Sequence, residues 1–313
     1  MLIVKGVDFG YEPSRLILKN ISFGLAKGSV LGLMGESGSG KSTLLRILYG
    51  LLDTTKGQLY WNGQEILGPK YHLIPGMPFM KYLAQDFDLM PYTTVEENIG
   101  QFLSNIHKAA KQDRVEELLN LVDMSEFAKT KVKLLSGGQM QRVALAKALA
   151  LEPEVLLLDE PFSHIDHFRK NELRRSLFAY VRKKEITLVI ATHHIDDVLA
   201  FADEITVVKD GTIIATGAPN RLYEDMSSLY VARLLGEVNV LPARWFGIAG
   251  KEYLYMRPQQ LKIAATGIKG KVKRSYYLGM HYVIEVMIEE RIVYVNHAEP
   301  VPEGTFTCIT TVA

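Results

Sequence analysis

Residues 35–43 read Gly-Glu-Ser-Gly-Ser-Gly-Lys-Ser-Thr and constrain the fold more than any other part of the chain. They follow a compact apolar run, Ser29 to Met34, and precede Ser42 to Leu52, where apolar residues have helical spacing. A glycine-rich turn that ends in Lys-Ser between a strand and a helix is the pattern of a phosphate-binding loop. The dinucleotide fingerprint is excluded, because positions 41–43 carry no third glycine. The pattern therefore predicts a strand–loop–helix unit that binds a nucleoside triphosphate.

We call residues 35–43 the phosphate loop. Its glycines allow successive backbone N–H groups to point into one concavity, and the following helix N-terminus favours anions. Lys41 is expected to reach the β- and γ-phosphates, and the Ser42 hydroxyl to bind Mg²⁺. A flexible Gly/Ser turn is the simpler alternative, but the strand-to-helix context disfavours it. The expected nucleotide contacts are Gly35, Glu36, Ser37, Gly38, Ser39, Gly40, Lys41, Ser42 and Thr43.

A second apolar run, Val155 to Leu158, ends in Asp159 and Glu160. A buried strand that ends in carboxylates beside a phosphate loop completes a nucleotide hydrolase site, with Asp159 holding Mg²⁺ and Glu160 orienting or deprotonating the attacking water. Considered alone, Asp159 and Glu160 are typical of a solvated acidic strand end. Together with the phosphate loop, it predicts catalysis.

Residues Leu135 to Gln139 read Leu-Ser-Gly-Gly-Gln and precede the helix-period run Met140 to Ala150. Ser136 therefore occupies an N-cap position, and the glycine N–H groups form a second anion site. A glycine-rich helix start without function is the alternative. A second anion site is useful if two copies face head to tail, so that Ser136, Gly137, Gly138 and Gln139 of one copy contact the nucleotide of the other.

The pattern along the chain predicts an α/β fold with two domains. Strand-like and helix-like runs alternate over residues 1–236, which indicates a largely parallel sheet. Residues from about 87 to 150 have only helical periods and predict a helical subdomain. Residues 237–313 contain short strand-like runs separated by turn residues, which predicts a small C-terminal β-barrel.

The composition limits the cellular compartment and the class of protein, but it does not identify a partner. The net charge of +1 provides no field that would recruit nucleic acid. One cysteine, Cys308, cannot form an internal disulfide, and the first residues lack the pattern of a secretion signal, so a reducing cytosol is expected. No apolar run approaches the roughly 20 residues that cross a bilayer. Any transmembrane path must come from other subunits.

The phosphate loop, the segment Leu135 to Gln139 and the run ending in Glu160, in this order, resemble the ABC ATPase family over residues 1 to about 236. In that family the segment Leu135 to Gln139 is the signature motif, and we call it the signature segment. The tail resembles the TOBE-type barrel of solute importers through Met256-Arg257-Pro258 and the stretch from Gly270 to Gly279. The resemblance implies an ATPase of an importer.

The same resemblance implies four single-residue roles. Gln85 is similar to the glutamine that senses Mg²⁺ and water and links the site to membrane subunits, and Tyr11 to the aromatic residue that stacks on adenine. Asp166 belongs to a loop that crosses to the partner copy, although His164 replaces a usual small residue there. His193 resembles the switch histidine that contacts the γ-phosphate.

The resemblance also implies ATP and Mg²⁺ as cofactors, a head-to-tail homodimer, transmembrane permease subunits, an external solute-binding protein and a place at the cytoplasmic face of the membrane. Nucleic acid is not an expected partner. Iron(III), polyamines, sulfate, molybdate and sugars are all solutes of related systems, and the sequence does not choose between them.

Three alternatives remain at the level of sequence. One is a cytosolic ABC ATPase acting on DNA or ribosomes, although the long coiled-coil insertions or paired nucleotide domains typical of such proteins are absent. Another is a nucleotide-binding regulator without turnover, against which Lys41, Asp159, Glu160 and His193 argue. The third is a zinc site made of the histidines His164, His167, His193 and His194, for which no cysteine or spaced carboxylate set provides support.

Overall fold

The computed structural model describes residues 1–12 and 14–312, with the backbone but not the side chain of His167. The chain divides into two compact units, residues 1–222 and 223–313. No helix in the described part of the chain is long and apolar enough to cross a membrane.

The first unit contains ten strands in two sheets. In chain order they are β1 (Leu2–Phe9), β2 (Leu18–Leu25), β3 (Val30–Met34), β4 (Lys56–Trp61), β5 (Gln64–Glu65), β6 (Met80–Leu83), β7 (Val155–Asp159), β8 (Thr187–Thr192), β9 (Glu204–Lys209) and β10 (Thr212–Gly217). An antiparallel sheet has the order β2-β1-β4-β5. The central sheet has the order β10-β9-β3-β8-β7-β6, and only β10 runs antiparallel to its neighbour.

Five helices lie within this unit and a sixth ends it: α1 (Lys41–Leu48), α2 (Val95–Ile99), α3 (Lys108–Leu121), α4 (Gly137–Leu149), α5 (His167–Lys183) and α6 (Pro219–Glu224). Between β6 and β7 the named elements are helices and 3-10 turns, as the helical periods there predict. Helix α2 begins with a capping box, in which Thr94 and Glu97 satisfy each other's backbone N–H groups.

The central strands explain where the site forms. Every residue of β3, β7 and β8 is buried, because helices cover both faces of a parallel sheet and such strands are apolar throughout. The three strands are parallel neighbours, so their carboxyl ends lie at one edge of the sheet. Ligands bind at this edge in open α/β folds.

The second unit begins within α6 and continues with α7 (Leu229–Leu234), β11 (Asn239–Pro242), β12 (Tyr253–Met256), β13 (Leu261–Ala264), β14 (Ile268–Tyr277), β15 (Tyr282–Ile288), β16 (Arg291–His297) and β17 (Phe306–Thr311). The last five strands form one antiparallel sheet of order β13-β17-β14-β15-β16, and its edge strands β13 and β16 approach each other. This barrel-like arrangement encloses an apolar core that includes Val272, Ile284, Val286, Val293 and Ile309.

The sequence places the division between the units after residue 236, whereas the structure places it earlier, after Leu222. Residues 223–236 go with the second unit because the buried guanidinium of Arg257 donates to the backbone carbonyls of Tyr223 and Ala232.

Candidate active site

The phosphate loop leaves β3 and enters α1 in a conformation that requires glycine. Gly35 has a φ of 156°, and a Cβ there would lie 2.3 Å from the carbonyl oxygen of Val208 on β9. Gly40, the N-cap of α1, has a φ of 106°, and its Cβ would lie 2.7 Å from Leu18. Side chains are excluded at both positions by conformation and by contact. The loop is therefore held tightly against the sheet in an open concave form.

Two buried polar side chains of the loop suit an anionic ligand. The Lys41 ammonium donates to the carbonyls of Gly35 (2.7 Å) and Glu36 (2.9 Å). Burial lowers the pKa of Lys41, and the nearby carboxylates of Glu160 and Asp159 act in the opposite direction. The Ser39 hydroxyl is buried and has no hydrogen-bond partner among the described residues. A buried hydroxyl without a partner is costly, so a ligand that binds the loop would supply the missing bond.

Asp159 lies at the end of β7 and is buried. Its Oδ1 accepts a hydrogen bond from Ser42 Oγ at 3.0 Å, and its Oδ2 accepts one from the Tyr82 hydroxyl at 3.3 Å. Burial raises the pKa of Asp159, while these two donors oppose the rise. Burial and the Asp159 charge raise the pKa of Tyr82 to about 12, so it remains a donor. The sequence analysis did not identify Tyr82, since only the fold brings β6 beside β7.

Oxygen ligands from a hydroxyl and a carboxylate are those that Mg²⁺ prefers. Ser42 and Asp159 provide both, side by side, at the base of the phosphate loop. The residues present therefore fit a magnesium ion. Gln85, the third expected ligand, lies in the exposed loop that follows β6.

Glu160 follows Asp159 with a φ of 50°, which is unusual for a residue with a side chain. Its backbone N–H donates to Ala191 on β8 at 2.9 Å. Its carbonyl accepts from Gln141 Nε2 on α4 at 2.9 Å and from Ser163 Oγ at 3.0 Å. These bonds hold the strained turn at the end of β7. The buried Gln141 was also not identified from the sequence, because it lies in a helical pattern that carries no functional motif.

The carboxylate of Glu160 faces the residues that follow β8. Its Oε1 is 2.7 Å from His193 Nδ1, and its Oε2 accepts from Thr192 Oγ1 at 3.4 Å. The rings of His193 and His194 have centroids 3.9 Å apart and are tilted by 40° to each other. Burial, Lys170 and His193 lower the pKa of His194. The structure thus brings together Glu160 and His193, which the sequence separates by 33 residues.

The histidines weighed as a zinc site do not all meet. His164 Nδ1 is 3.0 Å from Ser163 Oγ, and its ring meets Phe87 edge-on at 5.6 Å. The side chain of His167 lies outside the described residues. The cluster that could hold a metal consists instead of Glu160, His193 and His194.

The signature segment starts helix α4, with Leu135 buried, Ser136 exposed and Gly137, Gly138 and Gln139 partly exposed. Ser136 Oγ accepts from the Gln139 N–H at 3.3 Å, and Gln139 Oε1 accepts from the Ser136 N–H at 2.9 Å. This capping box confirms that Ser136 is an N-cap. No hydrogen bond among the described residues joins the signature segment to the phosphate loop of the same chain.

The remaining predicted residues lie around the phosphate loop and at a helix start. Tyr11 packs edge-on against Phe9 with centroids 5.0 Å apart and is 56% exposed. A surface hollow of about 530 Å³ is lined by both Tyr11 and Gly38 of the phosphate loop. Asp166 is exposed and caps α5 by accepting from the Arg169 N–H at 3.1 Å. Tyr11 therefore lines the same hollow as the phosphate loop, whereas Asp166 does not.

Known proteins resemble this chain both in sequence and in fold. The ABC transporter family model matches residues 18–163. The sulfate/thiosulfate import ATP-binding protein of Synechocystis is 35% identical over 303 residues, covering 90% of this chain and 84% of that protein. The Fe(3+) ions import ATP-binding protein of Rhizobium etli is 34% identical over 310 residues, with 90% and 86% covered. A spermidine/putrescine import ATP-binding protein of Bacillus cereus is 33% identical, with 90% and 84% covered.

Among solved structures, a dimeric ATP-binding cassette in a post-hydrolysis state bound to ADP and Pi matches with a TM-score of 0.63 and 28% identity, covering 70% of this chain and 99% of that one. The protein cbiO1 of Clostridium perfringens, part of the ABC transporter complex cbiONQ, matches with the same score and identity and covers 74% and 92%. With this fold, these motifs and these relatives, the chain belongs to the ABC transporter family, among its ATP-hydrolysing, ATP-binding subunits of the import type.

Proposed function

We propose that two copies of this chain bind two ATP molecules between them, each held by the phosphate loop of one copy and the signature segment of the other. Closure of this dimer, and its reopening after hydrolysis, drive solute uptake through separate permease subunits at the cytoplasmic face of the membrane. The observation that carries the proposal is the capped start of α4 with its exposed N-cap Ser136, an anion site that no hydrogen bond among the described residues joins to the phosphate loop of the same copy.

The proposed roles follow from the contacts within one copy. Lys41 and the loop N–H groups bind the β- and γ-phosphates, and the Ser39 hydroxyl gains a partner from the nucleotide. Tyr11 stacks on adenine. Mg²⁺, held by Ser42, Asp159 and Gln85, would neutralise charge on the phosphates. In the partner copy, Ser136 contacts the γ-phosphate and Asp166 borders the shared site.

Glu160 is the proposed general base. Its backbone is fixed by Ala191, Gln141 and Ser163, so the carboxylate cannot swing freely away from the strand end. His193 is bonded to it through Nδ1, which directs Nε2 away from the carboxylate. A protonated imidazole donates from both nitrogens, so His193 can bind Glu160 and a γ-phosphate oxygen together. Loss of that phosphate on hydrolysis removes the bridge and allows the dimer to reopen.

Glu160→Gln tests this proposal, because the amide keeps the shape of the side chain and loses the base. Turnover should fall by about 10²-fold or more, while ATP still binds and an ATP-bound dimer accumulates in sedimentation. Glu172→Gln, an exposed position on α5, is the matched control and should leave both properties unchanged. A Glu160→Gln variant that stays monomeric at saturating ATP would contradict the shared-site arrangement.

The proposal also includes the proteins with which this chain acts. Relatives of nearly equal similarity are named for sulfate, ferric iron and polyamines, so we assign solute choice to the permease and an external solute-binding protein. Affinity capture of the chain from membranes in the presence of ATP should recover a polytopic permease. Recovery of ribosomes or DNA instead would favour the cytosolic alternative.

A further inference from the structure

Three metal-binding side chains meet at the carboxyl ends of β7 and β8. Glu160, His193 and His194 each offer one ligand atom, and these atoms all lie within 4.8 Å of one another. Strands β7 and β8 are adjacent and parallel, so the residues that follow them reach the same point. The cluster is thus produced by the sheet, although the two histidines lie more than thirty residues after Glu160.

The donor atoms differ in kind from those at the phosphate loop. Two imidazole nitrogens and one carboxylate oxygen are a ligand set of three-ligand zinc sites, which keep a further position open. Mg²⁺ prefers oxygen ligands, such as Ser42 and Asp159, whereas imidazole suits first-row transition metals. We propose that Glu160, His193 and His194 bind a transition-metal ion of the Zn²⁺ type, and that this ion inhibits ATP hydrolysis.

The surroundings leave the ligand atoms accessible. Glu160 and His194 are partly exposed and His193 is exposed. Of the two Glu160 carboxylate oxygens, Thr192 Oγ1 approaches only Oε2, and its shorter bond of 2.7 Å goes to Asp197 Oδ2, so the Oε1 that faces His193 has a lone pair for a metal. Lys170 is the nearby positive charge that opposes a cation, and Asp197 the negative charge that favours one.

Inhibition follows from the atoms that the metal occupies. A metal on Oε1 of Glu160 and on a nitrogen of His193 removes the lone pair of the base and reorients the ring. This consequence rests on the roles proposed above for Glu160 and His193, whereas metal binding itself does not. The phosphate loop takes no part in the cluster, so ATP binding should persist in the metal-bound protein.

Co²⁺ is the direct probe, because its visible absorption reports imidazole ligation. The full-length chain, without nucleotide, is titrated with CoCl₂ and compared with His194→Asn and with His107→Asn, an exposed histidine outside the cluster. We expect one Co²⁺ per chain in the wild type and His107→Asn, and an affinity at least tenfold weaker in His194→Asn. Circular dichroism and ATP binding verify that each variant is folded. Equal Co²⁺ spectra and affinities in His194→Asn and the wild type would overturn the site.

Inhibition is measured separately, as Mg²⁺-ATP hydrolysis at increasing ZnCl₂. The wild type and His107→Asn should be inhibited, while His194→Asn keeps basal turnover and requires at least tenfold more Zn²⁺. Equal Zn²⁺ sensitivity of His194→Asn would overturn the inhibitory site. If Co²⁺ binding depends on His194 and yet Zn²⁺ does not inhibit, the metal site stands and the roles proposed for Glu160 and His193 in hydrolysis are wrong.

Discussion

Arg257 in the C-terminal unit and the phosphate loop in the N-terminal unit differ in how their buried polar groups are bonded. In the C-terminal unit Arg257 is 2% exposed, and its guanidinium donates to Tyr223 O at 3.1 and 2.8 Å and to Ala232 O at 3.4 Å. It also lies 3.7 Å from the centre of the Tyr223 ring. In the N-terminal unit Ser39 and Lys41 are each 7% exposed. Among the described residues the first has no partner, and the second bonds only carbonyls of its own loop.

A buried polar group that is fully bonded inside the protein stabilises one arrangement of the chain. Asn239 does the same as Arg257, since its amide exchanges two hydrogen bonds of 2.8 Å with the backbone of Tyr294. A buried polar group that the fold leaves open is available to a ligand instead. The difference indicates that the C-terminal unit is complete by itself, while the phosphate loop is completed by its nucleotide.

Replacing Arg257 with alanine should give the largest effect on stability. Each buried carbonyl left without a donor costs roughly 1–3 kcal/mol, and the lost stacking on Tyr223 adds about 1 kcal/mol. We expect the C-terminal unit to lose about 3 kcal/mol, seen as faster amide exchange in β14 to β17, with ATP affinity unchanged. Arg244→Ala, which removes an exposed ion pair with Glu289, should cost at most about 1 kcal/mol. A loss of ATP affinity in Arg257→Ala would contradict the comparison between the two units.

Replacing Lys41 with alanine should produce the converse result. Hydrogen bonds to charged groups are worth roughly 1.5–3 kcal/mol, so ATP affinity should fall by roughly 10- to 100-fold, measured by calorimetry. Without nucleotide the free energy of unfolding should fall less than in Arg257→Ala, because removing the buried Lys41 charge offsets part of the cost of leaving the carbonyls of Gly35 and Glu36 without this donor. Lys271→Ala on β14 is the matched control and should bind ATP normally. Unchanged ATP affinity in Lys41→Ala would refute the phosphate-loop assignment.

Substitutions at Ser136 distinguish a residue that only caps its own helix from one that contacts the nucleotide of a second copy. Ser136→Ala should cost about 1 kcal/mol as a lost N-cap, and a nearly intact turnover would mean that the residue acts only locally. Ser136→Arg should prevent dimer closure while a single copy still binds ATP.

Mixing variants sharpens the test of Ser136. A heterodimer of Ser136→Arg with Lys41→Ala has one site with both changes and one with neither, if each site takes its two segments from different chains. ATP-dependent pairing and ATP trapping at the intact site are the expected readouts. Their absence, with both chains folded, would count against the head-to-tail arrangement.

Tyr82→Phe should give the smallest effect, about 1 kcal/mol, because it removes one hydrogen bond to Asp159. The pKa of Tyr82 is raised from its ordinary value of 10.0 to about 12, so the unfolded chain releases this proton first. The stability difference between wild type and variant should be constant well below pH 10, narrow above it and reverse in sign before pH 12, because a pKa raised by about two units outweighs a hydrogen bond of about 1 kcal/mol. Urea unfolding at several pH values measures it. Tyr277→Phe, which removes an exposed hydroxyl on β14, is the control variant.

Local sequence was sufficient for much of the fold. Strands β3 and β7 were predicted to within one residue, since uninterrupted apolar runs depend only on near neighbours. The capped start of α4 was predicted for the same reason. Strands β4, β6 and β13 were not, because they are short and their side chains follow no clear period. Their pairing partners, not their own residues, make them strands.

The sequence by itself determined the chemistry of the site, because the phosphate loop, the carboxylates after β7 and the signature segment are each contiguous runs whose function depends on neighbouring backbone. Only the tertiary structure placed Tyr82 against Asp159, Gln141 against the backbone of Glu160, and His194 beside Glu160. It also moved the division between the units to Leu222. Those contacts join residues from separate strands and helices, and the packing of the parallel sheet, which no local pattern records, decides which of them meet.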